Sequence, residues 1–283
     1  MRIRRLQPAL ALPALLLALG ACGGETGLSP IFPEPVSPNG ANIYQLYELI
    51  SIPAIVIFLG VEVLLAIIIF RYRRSHLPPE YVPPQTHGHT VLEITWTIIP
   101  LIIVLAIAAL SFRELLVDFA PSAYANKDMT VDVSGYQFGW SYTYLDIQGG
   151  DGKSLTVNQP GVTSGDPVPL VVPVGKLVKL QVHSENVVHS WWVPAISGKT
   201  DAVPGYVNFT YLKIDHAGRW RGECAELCGA GHYSMQIEVQ AMDQAEFDAW
   251  VQKQVQESKP KPSPSPTAAT GARTGQPSPS ASP

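Results

Sequence analysis

The chain has 283 residues, 46% of them hydrophobic, with 19 basic and 23 acidic side chains and a formal charge of −4. That mild acidity, with no Lys/Arg cluster on any predicted element beyond Arg71, Arg73 and Arg74, excludes a nucleic-acid-binding surface. Three cysteines, an odd number, exclude a framework built on disulfides alone.

Residues 1–21 read as a secretion signal. Arg2, Arg4 and Arg5 form its positive region, and the apolar run Leu6 to Leu19 is too short to span a bilayer. Leu19-Gly20-Ala21-Cys22 resembles a bacterial lipobox, so cleavage before Cys22 and attachment of lipid to its thiol are expected. Residues 22–48 are expected to be an extracytoplasmic tether. A transmembrane hairpin is expected over 49–112. Its first span is Ile50 to Phe70, with Glu62 inside it, and Arg71-Tyr72-Arg73-Arg74 stops it. Its second span is Val91 to Phe112, with Glu93 near the start and Pro100 within. The dense basic cluster lies in the 71–90 loop. By the positive-inside rule that loop is cytoplasmic, and both chain ends lie outside, as an exported N-terminus also demands.

From about Lys127 the pattern changes to short apolar runs separated by Gly, Pro and Asp. They include Met129 to Val133, Leu170 to Val172, Leu177 to Val182 and Tyr206 to Tyr211. Such runs predict an antiparallel β-sandwich or barrel, one domain over 121–257. Asp243-Gln244-Ala245-Glu246 has capping-box spacing, so a helix with an apolar stripe of Phe247 and Trp250 is expected to close that domain. Residues 258–283, almost all Pro, Ser, Ala, Thr and Gly with a few Lys/Arg, are expected to be a disordered tail.

The chemistry concentrates in Cys224-Ala-Glu226-Leu-Cys228-Gly-Ala-Gly-His232-Tyr-Ser-Met235. Two thiols, an imidazole and a thioether within twelve residues are soft and borderline ligands, the set that suits copper. A further ligand must come from elsewhere, and His189 in Val-His-Ser-Trp-Trp-Val-Pro is the candidate. A mononuclear blue-copper site needs one Cys, and structural zinc has no use for Met. A Cys224–Cys228 disulfide is the plain alternative outside the cytoplasm, but it leaves His189, His232 and Met235 unexplained. Two thiolates point instead to two copper ions sharing sulfurs.

At this point the resemblance to subunit II of the cytochrome c oxidases becomes plain. It rests on C-A-E-L-C-G-A-G-H-Y-S-M, H-S-W-W-V-P, G-K-T-D-A-V-P-G, G-Y-Q-F-G-W-S-Y-T-Y and L-E-I-T-W-T-I-I-P, in family order over about residues 43–255. The resemblance implies a cupredoxin-like Greek-key β-sandwich after the two-helix hairpin. It implies a dinuclear CuA centre with His189 and His232 as terminal nitrogens and Cys224 and Cys228 bridging both coppers. Met235 becomes the weak axial ligand of one copper, and the Glu226 carbonyl binds the other. The family also uses the side chain at Glu226 on magnesium at the boundary with subunit I, and a glutamate at the Glu93 position for proton uptake. Partners implied are the haem–copper subunit I, subunit III and a c-type cytochrome donor.

One position departs from the family. Phe138 stands where relatives usually have the tryptophan at which electrons enter. Trp140 remains nearby as a weaker candidate for electron transfer. The chain has no C-x-x-C-H string, so the donor haem is expected on another protein. Residues 121–257 hold 15 acidic and 9 basic side chains, net −6, and this field is expected to steer a basic donor, with Asp146, Asp151, Glu185 and Asp201 near the approach surface. Glu62 has no role that the sequence assigns.

Overall fold

The structure, a computed structural model, describes residues 33–73, 78, 80–82, 84–85, 87–118, 120, 125–158 and 167–260. The segment expected to be a secretion signal, Cys22 and the residues from 261 onward lie outside the described residues. Two long helices come first, α1 (Pro38–Arg71) and α2 (Thr90–Asp118). Both are long and apolar enough to cross a membrane.

Helix α1 begins at Pro38, twelve residues before the expected span, so the tether expected over 22–48 gives way to helix in its last part. The reason is local. Ser37 is an N-cap whose hydroxyl accepts a hydrogen bond from Gly40 N–H, and Pro38 sits at the first helical position, where its missing N–H costs nothing. At about 1.5 Å per residue a helix of 34 residues is roughly 51 Å long, so one end projects beyond a hydrocarbon core of about 30 Å. The two helices meet where Leu49 and Pro53 face Ile103, Ala106 and Leu110.

Ten strands follow among the described residues: β1 (Met129–Tyr136), β2 (Gly139–Gln148), β3 (Ser154–Asn158), β4 (Leu170–Pro173), β5 (Val178–Ser184), β6 (His189–Trp192), β7 (Thr200–Ala202), β8 (Asn208–Leu212), β9 (Gly218–Cys224) and β10 (Gln236–Met242). They form two five-stranded sheets, ordered β3-β2-β1-β5-β8 and β4-β10-β9-β6-β7. The sandwich is not purely antiparallel as expected, because β1 pairs β5 and β10 pairs β4 in parallel. In each pair the chain leaves for the opposite sheet before it returns, so both strands run from the same end.

Strand alternation decides what lies between the sheets. Val131, Val133, Leu180, Val182, Ile237 and Val239 are wholly buried, and Trp140, Tyr142, Tyr144 and Trp191 fill the middle of the core with no exposed surface. Each such side chain contributes about 1.5–3 kcal/mol of burial. A last helix, α3 (Gln244–Glu257), stacks Phe247 on Trp250 and places Trp250 against Tyr144. Its expected capping box is not made, since the Asp243 side chain bonds no helix N–H.

The projecting start of α1 docks on the sandwich. Val36 N–H donates to the Ala195 carbonyl at 2.9 Å, the Ser37 hydroxyl donates to the Ile196 carbonyl, and Asn39 Nδ2 donates to the Tyr211 carbonyl at 3.2 Å. Ala195 and Ile196 lie in the turn between β6 and β7, and Tyr211 lies on the edge strand β8, so the helix start is tied to carbonyls on this side of the sandwich.

Sheet two depends on a close approach of β9 to β6. A Cβ placed on Gly222 would lie 2.1 Å from the Trp192 carbonyl oxygen and 2.7 Å from Val193 Cγ2. Gly222→Ala is therefore expected to force the strands apart, at about 1–3 kcal/mol, lowering the melting temperature of the copper-free chain by roughly 2–12 °C in near-ultraviolet circular dichroism. An unchanged transition would contradict the close approach.

Candidate metal centre

Every side-chain donor singled out around the cysteines comes to one end of sheet two. Cys224 ends β9, and Cys228 lies in the loop that follows. His232 opens a 3₁₀ turn (His232–Ser234), and Met235 ends it just before β10. His189 arrives on β6, which pairs with β9 through Trp191 opposite Cys224. Two backbone bonds lock this junction, Ala225 N–H to Ser190 O at 2.9 Å and Cys224 N–H to Met235 O at 3.0 Å.

The two sulfurs lie 4.0 Å apart and both cysteines are free, so no disulfide joins them in this structure. Each sulfur has its own histidine. His189 Nδ1 is 3.9 Å from Cys224 Sγ, and His232 Nδ1 is 3.6 Å from Cys228 Sγ. Met235 Sδ lies 3.9 Å from Cys228 Sγ, and the Glu226 carbonyl oxygen lies 3.3 Å from Cys224 Sγ. The donor atoms of His189, Cys224 and Cys228 all fall within 4.8 Å of one another. His189 and Met235 are fully buried, and each cysteine keeps only 4% of its surface.

A paired-sulfur core with a nitrogen on each flank, a thioether on one side and a carbonyl on the other fits soft, copper-type ligation better than a closed zinc tetrahedron. Glu226 offers its backbone here while the residue itself stays exposed, leaving the carboxylate free to face outward.

The loop is braced from sheet one. Gln137 Nε2 donates to the Cys228 carbonyl at 2.7 Å. The Phe138 ring lies on the loop so closely that a Cβ on Gly231 would come within 2.5 Å of it. The sequence assigns Gln137 no role, because nothing in the one-dimensional pattern says that its amide reaches a residue 91 positions away. Trp140 is fully buried behind the site, edge-on to the His189 ring at 6.0 Å.

Glu93 lies elsewhere, in the first turn of α2, where its Oε1 accepts from His89 N–H at 3.1 Å. Of the acidic residues expected near the copper end, Asp201 lies on β7 opposite Ser190, and Glu185 precedes the turn into His189. Asp146 instead bonds Thr130 N–H at 2.7 Å and Asp151 lies in the β2–β3 turn, both at the far end of sheet one, because the length of the β1–β2 pair separates them from the corner beside the cysteine loop.

Burial pushes the Cys228 thiol up to about 11, with the neighbouring Cys224 adding to the effect, and burial together with His232 lowers the His189 pKa. A raised thiol pKa keeps Cys228 protonated at neutral pH, so its thiolate fraction rises about tenfold per pH unit below 11. In the copper-free chain, peptide-resolved mass spectrometry is expected to show Cys228 alkylating slowly at pH 7 and faster with each step toward pH 10. A rate independent of pH over that range would contradict the buried, neutral thiol.

Comparison with known proteins comes to the same place. The family described as "Cytochrome C oxidase subunit II, periplasmic domain" matches residues 129–242, and "Cytochrome C oxidase subunit II, transmembrane domain" matches residues 25–114. The cytochrome c oxidase subunit 2 of Alkalihalophilus pseudofirmus is 35% identical over 246 residues, covering 86% of this chain and 67% of that one. That of Cereibacter sphaeroides is 34% identical over 255 residues, covering 81% and 80%. Among solved structures, the periplasmic domain of subunit II of cytochrome oxidase from Bradyrhizobium japonicum is 31% identical, with a TM-score of 0.42, covering 47% of this chain and 97% of that domain. With two apolar helices, a ten-stranded sandwich and this thiol–imidazole cluster in one chain, the protein belongs to the cytochrome c oxidase subunit II family.

Proposed function

We propose that this subunit takes single electrons from a reduced c-type cytochrome at the outer face of a bacterial cell membrane. It hands them to the haem–copper subunit I, where oxygen is reduced to water with proton translocation. The observation that carries this reading is the pair of free, buried thiols 4.0 Å apart with a histidine Nδ1 beside each sulfur. His189 and His232 would hold the coppers through ring nitrogens, Cys224 and Cys228 through their sulfurs, Met235 through its weaker thioether and Glu226 through its backbone carbonyl. A CuA centre of two coppers bound there supplies one-electron chemistry with the charge shared over both metals.

The chain's own contribution is a rigid, nearly dry cage. Its donors sit on two paired strands and a loop tied at both ends by backbone hydrogen bonds, so little has to move when charge changes. The exposed Glu226 carboxylate is suited to a magnesium ion at the boundary with subunit I. Glu185 and Asp201 give the copper end an acidic rim that attracts a basic donor. In the membrane, α1 and α2 form the hairpin with both chain ends outside, packed in a complex that includes subunit III. Glu93, at the cytoplasmic start of α2, lies where protons are taken up. Lipid on Cys22 adds a second anchor to a chain that two spans already hold.

The test is the purified full-length chain loaded with copper. Two coppers per chain and a purple, valence-delocalised spectrum are expected, and Cys224→Ser or Cys228→Ser should abolish both that spectrum and the oxidation of cytochrome c. Two coppers retained with an unaltered spectrum in either variant would overturn the assignment of both thiolates to the copper site.

Met235→Leu separates building the site from tuning it. A weak axial ligand should leave both coppers bound while the spectrum broadens and electron transfer slows. Complete loss of copper from this variant would show Met235 to be a structural ligand instead.

A further inference from the structure

The turn that carries the chain from β5 into β6 holds a second residue aimed at the metal ligand His189. Asn186 Oδ1 lies 3.1 Å from His189 Nε2. The same Oδ1 accepts the Val187 N–H at 2.7 Å, and the Asn186 N–H donates to Ser184 Oγ at 3.2 Å. These bonds decide a question that the imidazole alone leaves open. An amide side chain has an oxygen end and a nitrogen end, and only the oxygen accepts. Because Val187 N–H donates to this atom, it is the oxygen. An amide oxygen has no proton to give, so His189 Nε2 must be the donor and must carry the hydrogen. The lone pair of the neutral ring is then on Nδ1, the nitrogen that faces Cys224 Sγ at 3.9 Å.

The ring has little freedom to escape this arrangement. Trp140 stands edge-on to it at 6.0 Å, and Gly135 is so near that a Cβ there would come within 3.1 Å of both His189 Cδ2 and a Trp140 ring carbon. Turning the ring over would bring Nδ1–H or a C–H toward Asn186 and remove the lone pair from the sulfur side.

We infer that Asn186 is a positioning residue for the copper ligand His189, selecting the Nε2–H tautomer and presenting Nδ1 to the metal through a neutral acceptor. The inference rests on the copper reading of the site for its consequence, but the tautomer itself is a property of the metal-free chain. A neutral carbonyl polarises the imidazole less than a carboxylate does. The histidine is therefore a weaker electron donor than one backed by an acid, and Asn186 becomes a setting for the reduction potential as well as for geometry.

The experiment has two arms on the full-length chain in detergent. In the copper-free protein, ¹⁵N-histidine NMR, with the His189 signals assigned by their loss in His189→Gln, is expected to show the Nε2–H tautomer in wild type. Asn186→Ala should give a mixture of tautomers, and Asn186→Asp, which keeps an acceptor oxygen in place, should restore Nε2–H. In the copper-loaded protein, Asn186→Ala should release copper to a chelator about 10–100-fold faster. Asn186→Asp should hold it as wild type does while lowering the reduction potential. Identical tautomer, release rate and potential in wild type and both variants would overturn the role of Asn186. A wild-type chain that takes up copper without the two-copper spectrum would instead overturn the CuA reading, and the NMR arm would still decide the tautomer.

Discussion

The pairing of β6 with β9 sets the distance between His189 and Cys224, and the rest of the site hangs from that junction. Trp191 lies opposite Cys224, Ala225 N–H reaches back to Ser190 O, and Gly222 lets the two backbones approach without a side chain between them. The loop from Cys224 to Met235 begins and ends on this frame, because Cys224 N–H is bonded to Met235 O. Four soft or borderline side-chain donors from twelve residues of chain thus become a cage whose mouth is closed by strand register rather than by the loop's own stiffness.

Sheet one supplies the other half of the support. Gln137 holds the Cys228 carbonyl, Phe138 lies on the glycines of the loop, and Gly135 with Trp140 makes the slot for the His189 ring. One short stretch at the β1–β2 corner therefore touches both cysteine-loop backbone and histidine ring. This is why a substitution at Phe138 changes more than a surface contact: the ring is part of the packing that keeps the loop in place. Rigidity of this kind would serve the proposed single-electron transfer, where the energy of rearranging ligands sets the barrier.

The hairpin and the sandwich are not merely strung together. Val36, the N-cap Ser37 and Asn39 in the first turn of α1 bond the Ala195, Ile196 and Tyr211 carbonyls, on the side of the sandwich where β7 and β8 are edges. The helix start thus ties the domain to the membrane segment. The turn it grips, 193–197, directly follows β6, the strand that carries His189.

Much of this was legible in one dimension. Long apolar runs and a basic stop locate two membrane-type helices, because a span depends only on length and hydropathy. Alternation locates the strands, because side chains on a strand face opposite sides in turn. Cys224, Cys228, His232 and Met235 announce a soft-metal site, because a twelve-residue loop brings its own donors together whatever the rest of the chain does. What sequence could not decide was everything set by contacts between distant segments. The parallel pairings β1–β5 and β4–β10 depend on crossings between sheets. The helical start at Pro38 is held by carbonyls more than 150 residues away. The burial of Trp140, the distance of Asp146 and Asp151 from the copper end, and the Gln137 and Asn186 hydrogen bonds all follow from register. Local pattern dictates which residue types can bind a metal; only the packed sheets decide which nitrogen of His189 faces it, because that choice is made by an oxygen on a neighbouring turn and a ring slot lined from the opposite sheet.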